Sequence, residues 1–262
     1  MRFRHPNLVT IPWFMLEGLK NRKLSFFHKI YLIIKGKSVS LLFDRLNGTL
    51  FCYFINIFFK NDGKIYFDGN FYYKKLNDGQ KVFYPNKRID RVLINAASHF
   101  ESVLSSYSLH LVDFKDNDLV LDCGANIGEI NLALKKKKIF VDYFAFEPDS
   151  LTYECCLLNN KESKENIKNI GLGDESGQKE FFIDTYGGNS SVVFFGEEKK
   201  ININIEKLDN LKINKKIKLL KIDAEGYEPE VLKGAKETLK NVEYLAVDFG
   251  PERGEDQEDT II

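Results

Sequence analysis

The chain has 262 residues, 44% apolar and 29% charged, with 38 Lys/Arg against 38 Asp/Glu. That length and apolar content allow one substantial core with a smaller appendage and exclude a disordered chain. The zero net charge hides an asymmetry: residues 1–60 carry ten Lys/Arg against two Asp/Glu, whereas residues 243–262 carry seven acids and one Arg.

The basic end favours an anionic partner. No nucleic-acid partner is expected. Cys52, Cys123, Cys155 and Cys156 show neither metal-ligand spacing nor a disulfide framework, so a reduced, cytoplasmic compartment is expected, with no metal site. The N-terminal "MRFRHPNLVT" lacks the apolar core and small-residue cleavage site of a signal peptide.

Residues 1–94 are expected to form a basic, aromatic-rich extension of α+β character. Its most apolar stretch, "LLFDRLNGTLFCYFINIFF" at 41–59, is interrupted by Asp44, Arg45, Asn47, Gly48 and Asn56, short of the about 18 apolar residues in a row that a bilayer span needs. It is read as an aromatic core segment, with peripheral contact at a membrane surface as the second reading. The turn signals "NDGK" and "NDGQ" divide alternating runs such as "KIYFDGNFYYKKL" and "KVFYP", which predicts small antiparallel strands.

From residue 95 onward short β-branched runs alternate with helical patterns, predicting a Rossmann-like, doubly wound, mostly parallel α/β sheet. "INAASHFESVLSSYSL" leads as a helix. "DLVLDCG", "KIFVDYFAFEP", "ENIKNIGLGD", "IKLLKIDAEG" and "VEYLAVDFG" are the five strands, and "NIGEINLALKKK", "DSLTYECCLLNNK" and "EPEVLKGAKETLKN" are helices. Residues 177–210 interrupt this rhythm with two alternating arms that predict a hairpin or extra strands.

The turn after the first strand carries the chemistry. A dinucleotide fingerprint starting at Gly124 would need glycines where Asn126 and Glu129 stand, and an acid there opposes a pyrophosphate at a helix N-terminus. The stretch instead reads Asp122-x-Gly124-x-Asn126-x-Gly128. A strand-end carboxylate beside glycines that leave room for a ligand suits a cationic nucleoside without phosphate, and S-adenosylmethionine meets both conditions. Glu147, nineteen residues beyond Gly128 at the end of the next strand, can accept from both hydroxyls of a ribose. Taken singly, each acid also reads as a solvated strand end or helix cap, and each glycine as a simple turn.

Three stretches, "VLDCGANIGEI", "FAFEPDS" and "IEKLDNLKINKKIKLLKIDAEGYEPEVLKGA" at 205–235, resemble the FkbM-like group of class I S-adenosylmethionine-dependent methyltransferases, over roughly residues 95–250. The resemblance implies that Asp122, Gly124, Asn126 and Gly128 line the methionine portion of the cofactor, that Glu147 with Pro148 holds the ribose, and that Gly173 and Asp174 contact the adenine. Asp223 and Glu225 would face the methyl group and the acceptor, one of them as a base; Glu225 as a helix cap and Asp223 as a partner of the cofactor's amino group are the alternatives. Similar proteins methylate hydroxyl oxygens, so the expected acceptor is a glycan, a lipid-linked sugar or a natural product. "GGNSS" at 187–191 resembles a glycine/serine loop of the group. Such domains usually add two antiparallel strands after the fifth, and these are expected to be absent here. The rival readings are a nucleotide-binding oxidoreductase on the same architecture and a non-catalytic binding protein that has kept the fold.

Overall fold

The computed structural model describes residues 11–16, 23–183, 190–193 and 199–248. The chain divides into two compact units, Met1–Ala96 and Ala97–Ile262.

In the first unit, helix α1 (Phe26–Arg45) is capped by the Ser25 hydroxyl, which accepts from the His28 amide, and helix α2 (Gly48–Phe58) follows after the break at Leu46–Asn47. The apolar stretch at 41–59 is therefore two helical pieces, and no helix among the described residues is long and apolar enough to cross a membrane. Strands β1 (Gly63–Phe67), β2 (Tyr72–Leu76) and β3 (Lys81–Tyr84) form an antiparallel meander. α2 packs on β1 by burying Phe51, Cys52 and Ile55. Asn56 fixes the register of that packing, donating to the Ile65 carbonyl at 2.8 Å and accepting from the Ile65 amide at 2.9 Å. Buried Lys74 is satisfied by Asp62 and by the carbonyls of Val92 and Leu93, as a buried cation must be.

The second unit holds a five-stranded sheet of order β11-β10-β4-β5-β6, with every pairing parallel. Its strands are β4 (Leu119–Cys123), β5 (Asp142–Phe146), β6 (Ile167–Lys168), β10 (Ile217–Ile222) and β11 (Val242–Val247), and its helices are α3 (Ala96–Ser106), α4 (Glu129–Lys136), α5 (Ser150–Asn159) and α6 (Glu228–Lys233). Every residue of β4 is buried, as expected of a central parallel strand covered on both faces. One face carries a core of Leu119, Leu121, Phe146, Leu220, Ile222, Val231 and their neighbours. The strand order reverses at β4, so the crevice beyond the carboxyl ends of β4, β5 and β10 is where such a sheet binds ligands. This is the predicted Rossmann-like α/β architecture.

Two elements depart from expectation. The third strand, read as one run over 165–174, is β6 plus a separate β7 (Gly171–Leu172), and β7 pairs not with β5 but with β9. Between them the Asn169 side chain donates to the carbonyls of both Glu147 and Pro148 at 2.9 Å, which turns the chain from one sheet into the other. The second departure is α6, which ends at Lys233 and is followed by Gly234, packed so closely that a Cβ there would lie 1.9 Å from the Gly173 carbonyl oxygen. The predicted hairpin is present: β8 (Gly177–Phe182) and β9 (Lys200–Glu206) are antiparallel and form a three-stranded sheet with β7. Whether two strands follow β11 concerns residues beyond 248, outside the described residues.

Candidate active site at the strand tips

The turn from β4 into α4 is pinned to the tip of β5. The amides of Gly124 and Ala125 both donate to the Phe146 carbonyl, at 3.0 and 3.1 Å, and the Asn126 amide donates to Glu147 Oε2 at 2.8 Å. Gly124 has φ +68°, and a Cβ there would sit 1.8 Å from the Asp223 carbonyl oxygen; Gly128 has φ +77°, and its Cβ would sit 2.0 Å from Asn160 Nδ2. The space beside these glycines is thus taken by the tip of β10 and by Asn160 at the end of α5. This corrects the reading that the glycines leave room for a ligand: they let three chain segments close upon one another.

Asp122 also differs from its expected setting. It is 1% exposed, accepts from the Tyr143 hydroxyl at 2.6 Å, and lies 3.2 Å from Lys221 Nζ. Lys221 offsets its charge, while Oδ1, 3.2 Å from that ammonium, accepts no hydrogen bond among the described residues. Lys221 is the centre of this cluster, donating to the carbonyls of Gly124 at 2.8 Å and Cys123 at 3.2 Å and lying 3.6 Å from Asp223 Oδ2. Burial pulls its ammonium toward neutrality, but Asp122 and Asp223 outweigh that and hold it well above the usual lysine value. Lys221 sits in a strand whose apolar run predicts only burial, and no local pattern shows that it meets Asp122.

Asp223, immediately after β10, accepts from the Tyr107 hydroxyl through Oδ2. Burial, and then the Asp223 carboxylate, keep Tyr107 protonated against the pull of Lys221, so it serves as a donor. Asp223 Oδ1 is buried and has no hydrogen-bond partner among the described residues. An orphaned carboxylate oxygen is costly unless something donates to it.

Glu147, at the tip of β5, is 7% exposed. Its carboxylate accepts from the amides of Asn126 at 2.8 Å and Asp149 at 3.0 Å. Burial pushes its pKa up to about 7. An ionised carboxylate offers about four lone-pair sites, so acceptor capacity is left for a diol.

Glu225 has φ +50°, and its carbonyl accepts from the Ser191 hydroxyl at 2.6 Å. The N-cap position of α6 is Tyr227, without a side-chain cap bond, and Glu228, the first residue of α6, instead closes the preceding turn, its Oε1 accepting from the amides of Ala224 at 2.7 Å and Gly226 at 3.1 Å. Ser191 is the described end of the "GGNSS" segment; residues 187–189 lie outside the described residues. Gly173 and Asp174 do not stand at the tip of the third parallel strand. Gly173 donates its amide to the Glu206 carbonyl at 3.0 Å and packs on Ile205 and Tyr227, so both belong to the turn leaving β7, and Asn169 is the residue that follows β6. The structure therefore brings together Asp122, Gly124, Asn126, Gly128, Glu147, Pro148 and Asp223 around one loop. It adds Lys221, Tyr107, Tyr143, Asn160 and Asn169, which the linear pattern does not reveal.

The donor set fits a cationic nucleoside better than a phosphate. Carboxylates stand at three neighbouring strand ends, Asp122 and Asp223 each with a buried oxygen that accepts no hydrogen bond among the described residues and Glu147 with spare acceptor capacity, and the buried cation of this cluster, Lys221, is held by Asp122, Asp223 and two carbonyls. The model of the Methyltransferase FkbM domain matches residues 122–261. The chain is 25% identical over 182 residues to methyltransferase sdnD of Sordaria araneosa, covering 55% of this chain and 70% of that protein. It is 28% identical over 145 residues to the hexuronic acid methyltransferase AglP of Haloferax volcanii, covering 54% of this chain and 59% of that protein.

Proposed function

Because this chain belongs to the FkbM methyltransferase domain family, we propose that it transfers the methyl group of S-adenosylmethionine to a hydroxyl oxygen of a glycan, a lipid-linked sugar or a natural product. The observation that carries this reading is the orphaned Asp223 Oδ1, at the tip of the strand beside the Gly124 turn. A sugar acceptor is supported by the hexuronic acid named for AglP. When bound, the cofactor supplies a methyl group made electrophilic by its sulfonium. Glu147 accepts the ribose hydroxyls. Asp223, held by Tyr107 and Lys221, accepts the hydrogen of the acceptor hydroxyl through Oδ1 and orients that oxygen. Glu225, on the turn fastened by Ser191, faces the acceptor side. Asp122 acts indirectly, by placing Lys221.

Calorimetric titration with S-adenosylmethionine, with NAD in parallel, tests the cofactor. Heat with the first and none with the second is expected; stabilisation by NAD alone would make the protein an oxidoreductase. Asp223→Asn is expected to keep cofactor affinity while lowering transfer of labelled methyl into cell-extract carbohydrate about a hundredfold or more. Cofactor binding without transfer by the native protein to any extract fraction would favour a binding protein.

A further inference from the structure

The helices of the first unit present an apolar surface that its core does not use. On α1 the spacing of Phe26, Ile30 and Ile34, with Phe27 and Tyr31 beside them, sets five large apolar side chains on one helical face, and all five are exposed, Phe27 by 81%. On α2, Leu50, Tyr53, Phe54 and Ile57 recur at the i, i+3, i+4, i+7 spacing of a helical stripe, and these too are exposed while Phe51, Cys52 and Ile55 are buried. Isolated exposed apolar residues need no explanation, but a run of this size on consecutive helices marks an interaction surface.

The charges around it select the partner. Between residues 23 and 60, Lys23, Lys29, Lys37, Arg45 and Lys60 are exposed against one exposed acid, Asp44. Lys29 lies one turn from Phe26 and Lys37 one turn from Ile34, so cations flank the apolar face of α1. Two copies meeting through this face would bring like charges together. An anionic surface would neutralise them, and an apolar layer beneath it would accept the aromatic rings. No helix among the described residues is long and apolar enough to cross a bilayer, and helices with one exposed apolar face and flanking cations suit an interfacial position. We propose that α1 and α2 dock on the headgroup region of an anionic phospholipid bilayer, with Phe26, Phe27, Ile30 and Ile34 inserted and Lys29 and Lys37 at the phosphates.

Co-sedimentation of the full chain with vesicles tests this. Binding is expected with phosphatidylcholine containing phosphatidylglycerol, is expected to weaken as salt rises, and should be absent with phosphatidylcholine alone. The double variant Phe27→Ser/Ile34→Ser, at exposed positions, should keep the native unfolding temperature and lose roughly tenfold or more in vesicle affinity. Lys29→Glu/Lys37→Glu should lose binding to the anionic vesicles as well. Three outcomes overturn the proposal: no sedimentation with either vesicle, undiminished binding by the Phe27/Ile34 variant, or a dimeric native protein that this variant makes monomeric without any lipid binding.

Discussion

Lys221 on β10 stands directly across from Asp122 on β4, its ammonium 3.2 Å from the carboxylate, and neither side chain is more than 4% exposed. Removing one partner leaves the other charge stranded in a dry interior. Lys221→Met should therefore destabilise the second unit by about 3–5 kcal/mol, whereas the double change Lys221→Met/Asp122→Leu should recover a large part of that loss. Urea denaturation of the two singles and the double closes the cycle. A coupling near zero would mean that the pair is not what holds the two strand tips together.

Gly124→Ala combines a disfavoured φ with a collision against backbone. Gly79 is a control, since its φ is +88° and a Cβ there meets nothing within 4 Å. Gly79→Ala should cost about 1 kcal/mol from backbone strain alone, and Gly124→Ala clearly more. Gly124→Ala should also weaken S-adenosylmethionine binding, because the Asp223 carbonyl has to move. Equal unfolding midpoints for the two variants would contradict the close approach described here.

Glu147 gives the protein a pH dependence with a definite sign. Its pKa lies at about 7 in the folded chain against a usual 4.5, so between these values the folded state binds the extra proton. Stability is thus fully present below about pH 4.5 and declines as pH rises to 7, by on the order of 3 kcal/mol from this group. Glu147→Gln should flatten that slope, as pH-stepped urea melts would show. If the ionised carboxylate receives the ribose hydroxyls, cofactor affinity of the native protein should rise across the same interval. An affinity independent of pH from 5 to 8 would remove Glu147 from the proposed ribose site.

Ser191 is 1% exposed, donates to the Glu225 carbonyl and accepts from the Val193 amide at 2.9 Å. Ser191→Ala should cost about 1–2 kcal/mol and speed hydrogen exchange at Val193. On the proposed arrangement cofactor affinity should stay unchanged, because Ser191 holds the Ala224–Glu225 turn and not the Gly124 loop. A fall in cofactor affinity equal to the fall in methyl transfer would place this turn on the cofactor side instead.

The parallel sheet was legible from local patterns because buried strands such as 217–222 are apolar runs and their helices show a separate period. The acids at 122, 147 and 223 were legible because each stands within one residue of the end of such a strand. What escaped depends on partners far apart in the chain. Asp122 looked unpaired because nothing near it in the chain announces Lys221, 99 residues later, or Tyr143 on the neighbouring strand. Gly124 looked like an opening because only the folded chain brings the Asp223 carbonyl against it. Gly173 and Asp174 looked like a strand tip because the apolar pattern runs on through Ile170 and Leu172, while the pairing partner changes from β5 to β9 at Asn169.

That change of partner makes Asn169 and Ile170 a hinge pin of fixed length. Leu172 is committed to β9 and Lys168 to β5, and the single amide of Asn169 clasps both carbonyls behind the Glu147 carboxylate. Adding or deleting one residue between Lys168 and Leu172 would shift Asn169 against the Glu147 and Pro148 carbonyls that its side chain holds. The geometry of this recess is therefore metered by chain length in a connector that contributes no charge to it.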